Sequence, residues 1–147
     1  MSEHLATIRW IASGDFAKGQ YARAHDWVFD GGATIRAAAS PANVPGPYTD
    51  ASAVDPEEAL VAAAASCHML WFLDLARRAG FTLASYTDAA KGHMTSGDKP
   101  YIDRIDLFPK IEWTDSAPDK ETLANLHHAA HENCFIANSI KADVIVN

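Results

Sequence analysis

The chain has 147 residues, 48% of them hydrophobic and 21% charged, with a formal net charge of −7. That length suits one domain with a real core, so residues 1–147 read as a single domain. The negative charge argues against nucleic acid or an anionic membrane as partner. The opening segment, MSEHLATIRW, carries no basic stretch followed by an apolar run, so no secretion signal is read there. A reducing, cytoplasmic compartment is therefore the expectation.

In chain order, Leu5 to Ala12 reads as a strand. Tyr21 to Phe29 reads as a second, alternating with period two: Tyr21, Arg23, His25, Trp27 and Phe29 share one face. Gly31-Gly32 makes a turn, and Ala33 to Ala39 is a third strand, giving an antiparallel meander. The segment SPANVPGPYTDASAV has three prolines and no periodicity, and a loop of that length in a compact domain is usually functional or disordered.

The strongest helix signal follows. Asp55 suits the N-cap, Pro56 the first helical position, and Glu58 completes a capping box. Arg77 and Arg78 fall in the last turn, and Gly80 is a natural terminator. The stretch between is apolar nearly all round, which predicts burial between layers or at a subunit interface. Ser66, His68 and Asp74 interrupt it, so it reads as too short and too broken to span a membrane.

Beyond it, Phe81 to Met94 reads as a strand, residues 95–98 as a turn, and Tyr101 to Trp113 as an alternating strand with Pro109 marking an edge or bulge. A second helix starts near Ser116 to Pro118 and runs to about Asn133. Leu123, Leu126, His127, Ala130 and Cys134 fall on one of its faces. Asn138-Ser139 turns the chain into a closing strand, Ile140 to Val146.

The chemistry-bearing residues are few. There are two cysteines, Cys67 in the apolar helix and Cys134 at the end of the second. A sparse, well-placed pair in a reducing compartment points to thiol redox chemistry, although either alone could be a small buried hydrophobe. A reactive thiolate needs a cation nearby. Arg23, on an aromatic strand face, is the first choice, with Arg36 and Arg9 behind it. Glu57 is the candidate carboxylate; its plainer reading is a first-turn acid on the helix dipole. His127, His128, His131 and Cys134 have spacings that could serve a metal, but His127 and His131 share a face that His128 does not, and surface histidines are the simpler reading.

DPEEALVAAAASCHMLWFLDLARRAGF resembles the central-helix signature of the OsmC/Ohr family, and AHENCFIANSIK resembles its second-cysteine segment. The likeness covers most of the chain. It implies an α+β fold of antiparallel sheets packed around long central apolar helices in an intertwined homodimer. It also implies thiol-dependent reduction of organic hydroperoxides. Cys67 then matches the peroxide-reacting cysteine, Cys134 the resolving one, Glu57 the acidic residue of the Pro-Glu motif and Arg23 the thiolate-stabilising arginine. The substrate is a small hydroperoxide and the reductant a dithiol, of lipoyl type in the family. No metal, flavin or haem is required. Leu70, Trp71 and Phe72 are expected to form an apolar substrate wall. Two departures stand out: Phe135-Ile136-Ala137 replaces a proline-containing run after the second cysteine, and His68 follows the first where an apolar residue is common. A non-catalytic ligand-binding or stress protein on the same fold, and a His/Cys metal-binding protein, are the alternatives.

Overall fold

A computed structural model describes residues 1–147. The chain forms two compact units, Met1–Ala59 and Leu60–Asn147.

The first unit holds β1 (Ala6–Arg9), β2 (Gly14–Asp15), β3 (Gln20–Tyr21), β4 (His25–Phe29) and β5 (Thr34–Ala37). β4 lies between β1 and β5 in an antiparallel sheet, with Trp27 opposite Ile8 on one side and Ile35 on the other. β2 and β3 form a small hairpin of their own. The expected strand over Tyr21–Phe29 is thus broken at residues 22–24. The reason is a change of hydrogen-bond partner: Ala22 N–H donates to the Ser13 carbonyl at 3.1 Å, and Arg23 N–H to the Tyr48 carbonyl at 2.9 Å. The β4–β5 turn uses Gly32 at φ 89°, a left-handed conformation that favours glycine. The proline-rich segment is ordered rather than loose. It is held by a hydrogen bond from the Thr49 hydroxyl to the Ala39 carbonyl and by Ala38 N–H to Val54 O at 3.0 Å.

Helix α1 (Pro56–Arg78) starts and stops where its caps require. Glu58 N–H donates to Asp55 Oδ1 at 2.7 Å, and Asp55 N–H returns a bond to Glu58 Oε2 at 3.2 Å, a reciprocal capping box. At the other end Gly80 adopts φ 87°, and the Gly80 and Phe81 N–H groups bond back to the Arg77 and Ala76 carbonyls. With 23 residues, α1 is long and apolar enough to cross a membrane by length and composition alone, a test that the core helix of a folded domain also passes. One stripe of it is packed in the protein core: Ala64, His68, Phe72 and Ala76, spaced by four, are all fully buried. Leu60, Val61, Ala65, Trp71 and Leu75 pack partly against the same core, and Leu70 is left 60% exposed.

The second unit continues with β6 (Leu83–Asp88), β7 (Lys91–Met94), β8 (Ile102–Leu107), β9 (Pro109–Trp113), α2 (Lys120–Asn133), a 3-10 turn at Ala137–Ser139 and β10 (Asp143–Val146). The expected strands Phe81–Met94 and Tyr101–Trp113 are each two strands. β6 pairs with β9 and β7 with β8, in separate sheets. The crossing point is pinned by Phe108 N–H donating to Asp88 Oδ1 at 2.7 Å. Pro109, which has no N–H, sits at the first residue of β9, where none is needed. β10 joins β8 in parallel, beside otherwise antiparallel ladders. Asp119 caps α2 by accepting from Thr122 N–H at 2.7 Å.

Two apolar clusters hold this unit together. Ala64 packs with Ile105, Leu107 and Ala142 under the β8–β10 sheet. Phe72 and Ala76 pack with Leu126 and Ala130 of α2, flanked by Trp71, Tyr86 and Trp113. The second cluster fixes α2 against α1 and so sets where its final residue arrives.

Candidate active site around Cys67 and Cys134

Cys67 lies on α1 one residue before the buried stripe. Successive helical residues diverge by about 100°, so Cys67 faces aside from the core that takes His68. It is partly exposed, and Cys134 is fully buried. Cys134 is the C-cap of α2: its N–H bonds to the His131 carbonyl, and its Sγ accepts from Ala137 N–H at 3.3 Å. The two sulfurs are neighbours. Burial raises the Cys134 thiol above its ordinary range, and the adjacent Cys67 sulfur raises it further. Both thiols are free.

A groove of about 320 Å³ opens at Cys67, lined by Leu70, Trp71, Asp74 and Phe135. Three of these lie on one α1 stripe with Cys67, at spacings of four and seven residues for Trp71 and Asp74 and three for Leu70. Phe135 reaches the groove from the other element, edge-on to Trp71 with ring centroids 5.6 Å apart and planes at 77°. Asp74 is bound at the rim by Arg77 at 2.8 Å and Arg78 at 2.7 Å. The expected wall of Leu70, Trp71 and Phe72 is therefore corrected. Phe72 is fully buried on the core stripe, stacked on His127 at 4.3 Å, and Phe135 takes its place in the groove. The four-residue step from His68 to Phe72 was the signal in the sequence.

In the first unit, Arg23 lies in the break between β3 and β4. Its guanidinium sits 3.7 Å above the Tyr21 ring, and Nη1 donates to the Tyr21 carbonyl at 2.6 Å and the Gly19 carbonyl at 3.1 Å. It also lines a cavity of about 410 Å³ with Ile8, Trp10, His25 and Pro56. Arg23 and Glu57 form no ion pair in the single chain, and Glu57 Oε2 is buried without a hydrogen-bond partner. Arg36 is engaged with Asp26 at 3.7 Å. Glu57 and Cys67 are ten residues apart in one continuous helix, about 15 Å along its axis.

No three His, Cys, Asp or Glu side chains are disposed to hold an ion. His127 is instead committed to His68, Nδ1 to Nε2 at 3.0 Å with the rings stacked. Sequence reasoning missed this pair. Each member falls on an apolar stripe of its helix, but nothing local shows that the stripes meet.

Residues 49–147 match the family model described as OsmC-like protein. An OsmC-like protein of unknown function from Vibrio cholerae is 45% identical, with a TM-score of 0.96 over 100% of this chain and 99% of that one. The organic hydroperoxide resistance protein of Elizabethkingia anophelis has the same fold at 19% identity and a TM-score of 0.66, over 99% of this chain and 95% of that one. The organic hydroperoxide resistance protein OhrB of Bacillus subtilis has it at 19% identity and 0.64, over 97% and 95%. No curated protein matches the chain. By the family model and by its similarity to the Vibrio protein over the whole chain, this α+β protein belongs to the OsmC-like family.

Proposed function

We propose that this protein is a cysteine-based peroxidase that reduces organic hydroperoxides. The observation that carries the reading is the pairing of a partly exposed thiol, Cys67, with a buried thiol, Cys134, at the foot of an apolar groove. The fold shared with two organic hydroperoxide resistance proteins is consistent with it.

The chemistry follows from the thiols. The Cys67 thiolate attacks the terminal peroxide oxygen; an S–O bond forms as the O–O bond breaks. The alkoxide takes a proton and leaves as an alcohol, and Cys67 becomes a sulfenic acid. Cys134 condenses with it, losing water, to give a disulfide. An external dithiol, of lipoyl type by family resemblance, restores both thiols by exchange. The raised Cys134 thiol suits the second role, since the thiol with less thiolate is the less reactive toward the peroxide itself. Arg23 is assigned the thiolate-stabilising charge and Glu57 the orientation of that charge. The unpartnered Glu57 oxygen and the exposed Leu70 of α1 both support a homodimer in which these groups are completed across the interface.

The test is a single turnover. One equivalent of cumene hydroperoxide added to the Cys134→Ser variant should leave a sulfenic acid on Cys67, captured by a dimedone-type probe. The unmodified protein should form the Cys67–Cys134 disulfide and consume peroxide continuously with dihydrolipoamide. Label that accumulates on Cys134 in Cys67→Ser would reverse the roles. Unmodified protein that consumes no peroxide with any dithiol would leave a non-catalytic binding protein as the better reading.

A further inference from the structure

A larger cleft, of about 610 Å³, lies between α2 and β10 and shares no lining residue with the groove at Cys67. One wall is a stripe of α2: Lys120, Leu123, His127 and His131 recur at steps of three and four residues. β10 supplies the other wall, with Val144 and Val146. The chain has a net charge of −7, yet no Asp or Glu side chain lines this cleft. Its one permanently charged side chain is Lys120, which is exposed. The two half-buried imidazoles have their Nδ1 atoms accounted for. That of His127 is 3.0 Å from His68 Nε2, and that of His131 is enclosed without a partner. An enclosed acceptor without a partner is better tolerated than an enclosed N–H, which puts the proton of His131 on Nε2. The same reasoning applies to His68, whose Nδ1 is also enclosed and unpartnered. His68 Nε2–H then donates to His127 Nδ1, which leaves the His127 proton on Nε2. Neither Nε2 is enclosed or bonded within the chain, so the cleft has two N–H donors without acceptors beside one ammonium group.

We propose that this cleft binds an organic monocarboxylate, with its head group at Lys120, His127 and His131 and its apolar body against Leu123 and Val144. The inference uses neither cysteine and stands apart from the peroxidase reading. Size supports it. Small-molecule sites run to about 300–1,000 Å³, mostly apolar with a few placed polar groups, and this cleft has both properties. Hydrogen bonding supports it too. An ionised carboxylate only accepts, and the polar groups described above are donors. Charge selects the monoanion. Burial lowers the His127 pKa, so that ring adds no second positive charge at neutral pH. A phosphate dianion would meet a single ammonium group and remain half uncompensated. An alcohol of the same shape would leave Lys120 without a counter-ion, and an amine would be repelled by it. Leu123, Val144 and Val146 give the body apolar surface, which a free inorganic anion lacks.

The test is a calorimetric titration of the whole protein at pH 7.5 with octanoate, with octan-1-ol and octylamine as matched probes. Octanoate should bind about tenfold or more tighter than either, the effect of one charge-assisted hydrogen bond. Lys120→Gln should weaken octanoate about tenfold, and Lys120→Arg should keep most of the affinity. Ala124 lines the cleft at an exposed position of α2, so Ala124→Phe should fill the space and abolish binding while the chain stays folded. In nitrogen-15 spectra, the free protein should show His127 and His131 protonated at Nε2, and octanoate should shift both signals and leave the Trp71 indole unmoved. Equal affinity for octanoate and octan-1-ol would make the cleft a plain apolar surface and overturn the proposal. Binding that survives both Lys120→Gln and Ala124→Phe, or shifts at Trp71 instead, would place octanoate elsewhere and overturn it as well. So would the absence of binding, whether the cleft is empty or closed by a second copy of the chain.

Discussion

His68 and His127 stack with ring planes 9° apart and share a hydrogen bond of 3.0 Å in the core between α1 and α2. His68 has no exposed surface, and its Nδ1 has no partner. Burial, with the nearby His127 and His131, lowers its pKa from 6.5 to about 4. The imidazole is therefore neutral in the fold at pH 7, donating or accepting one proton within the pair.

This arrangement predicts acid lability. Unfolding frees His68 to titrate normally, so the unfolded chain binds a proton at higher pH than the folded one. The stabilisation is complete above about pH 6.5 and falls as the pH drops toward 4. Each tenfold difference in proton affinity is about 1.4 kcal/mol, so His68 alone accounts for about 3 kcal/mol across that window. Urea unfolding at pH 7.5 and pH 4.5 measures the loss. His68→Leu should flatten the profile; an equal loss in the variant would assign the lability to other groups.

A tight packing contact predicts a second effect. A Cβ built on Gly92 of β7 would lie 2.5 Å from Val61 Cγ2 on α1. The short branched valine cannot swing clear. Gly92→Ala should lower stability by about 1–3 kcal/mol, read as a shift in denaturant midpoint. Val61→Ala in the same chain should recover most of it. A Gly92→Ala protein as stable as the parent would mean that β7 and α1 can part freely.

The legible parts of the fold are those written in local chemistry. The bounds of α1 follow from Asp55, Glu58 and Gly80, because capping depends on residues within one turn. The breaks at residues 89–90 and at Phe108 were not legible. A two-residue alternation continues through a point where a strand changes sheets, and the bond that fixes that point joins Asp88 to a backbone twenty residues away. The site shows the same division. Cys67 and Cys134 stood out by scarcity and family resemblance. Their contact depends on how the Phe72 and Ala130 stripes pack, and Phe135 enters the groove only because of that packing.

Arg23 offers a third test. Its guanidinium is held against Tyr21 by carbonyls of its own hairpin and meets no carboxylate in the single chain. If it supplies the charge for the thiolate, Arg23→Ala should slow iodoacetamide alkylation of Cys67 at pH 7 by about tenfold, with the far-UV spectrum unchanged. An unchanged alkylation rate would remove Arg23 from the site and turn attention to Arg9, since Arg36 is already engaged by Asp26.

The last prediction concerns sharing of the site between subunits. Glu57 and Cys67 sit in one unbroken helix, about 15 Å apart along its axis. A glutamate side chain cannot span that distance, so the two cannot serve one compact constellation within a chain. Two copies of α1 packed antiparallel about a two-fold axis would bring Glu57 of one chain toward Cys67 of the other, and the reverse by symmetry. The exposed Leu70 of α1 and the unpartnered Glu57 oxygen are what such packing would cover and satisfy. Co-folding Glu57→Ala chains with Cys67→Ser chains should then restore peroxide turnover to mixtures of two inactive proteins. In each mixed dimer one site keeps both residues, and random pairing makes half of the dimers mixed, so about a quarter of the parent activity is expected. A different affinity tag on each chain, with purification on both tags in turn, would confirm that mixed dimers form. If they form and recover nothing, Glu57 acts within its own chain or not at all, and the shared site is lost as an explanation for the unpaired carboxylate.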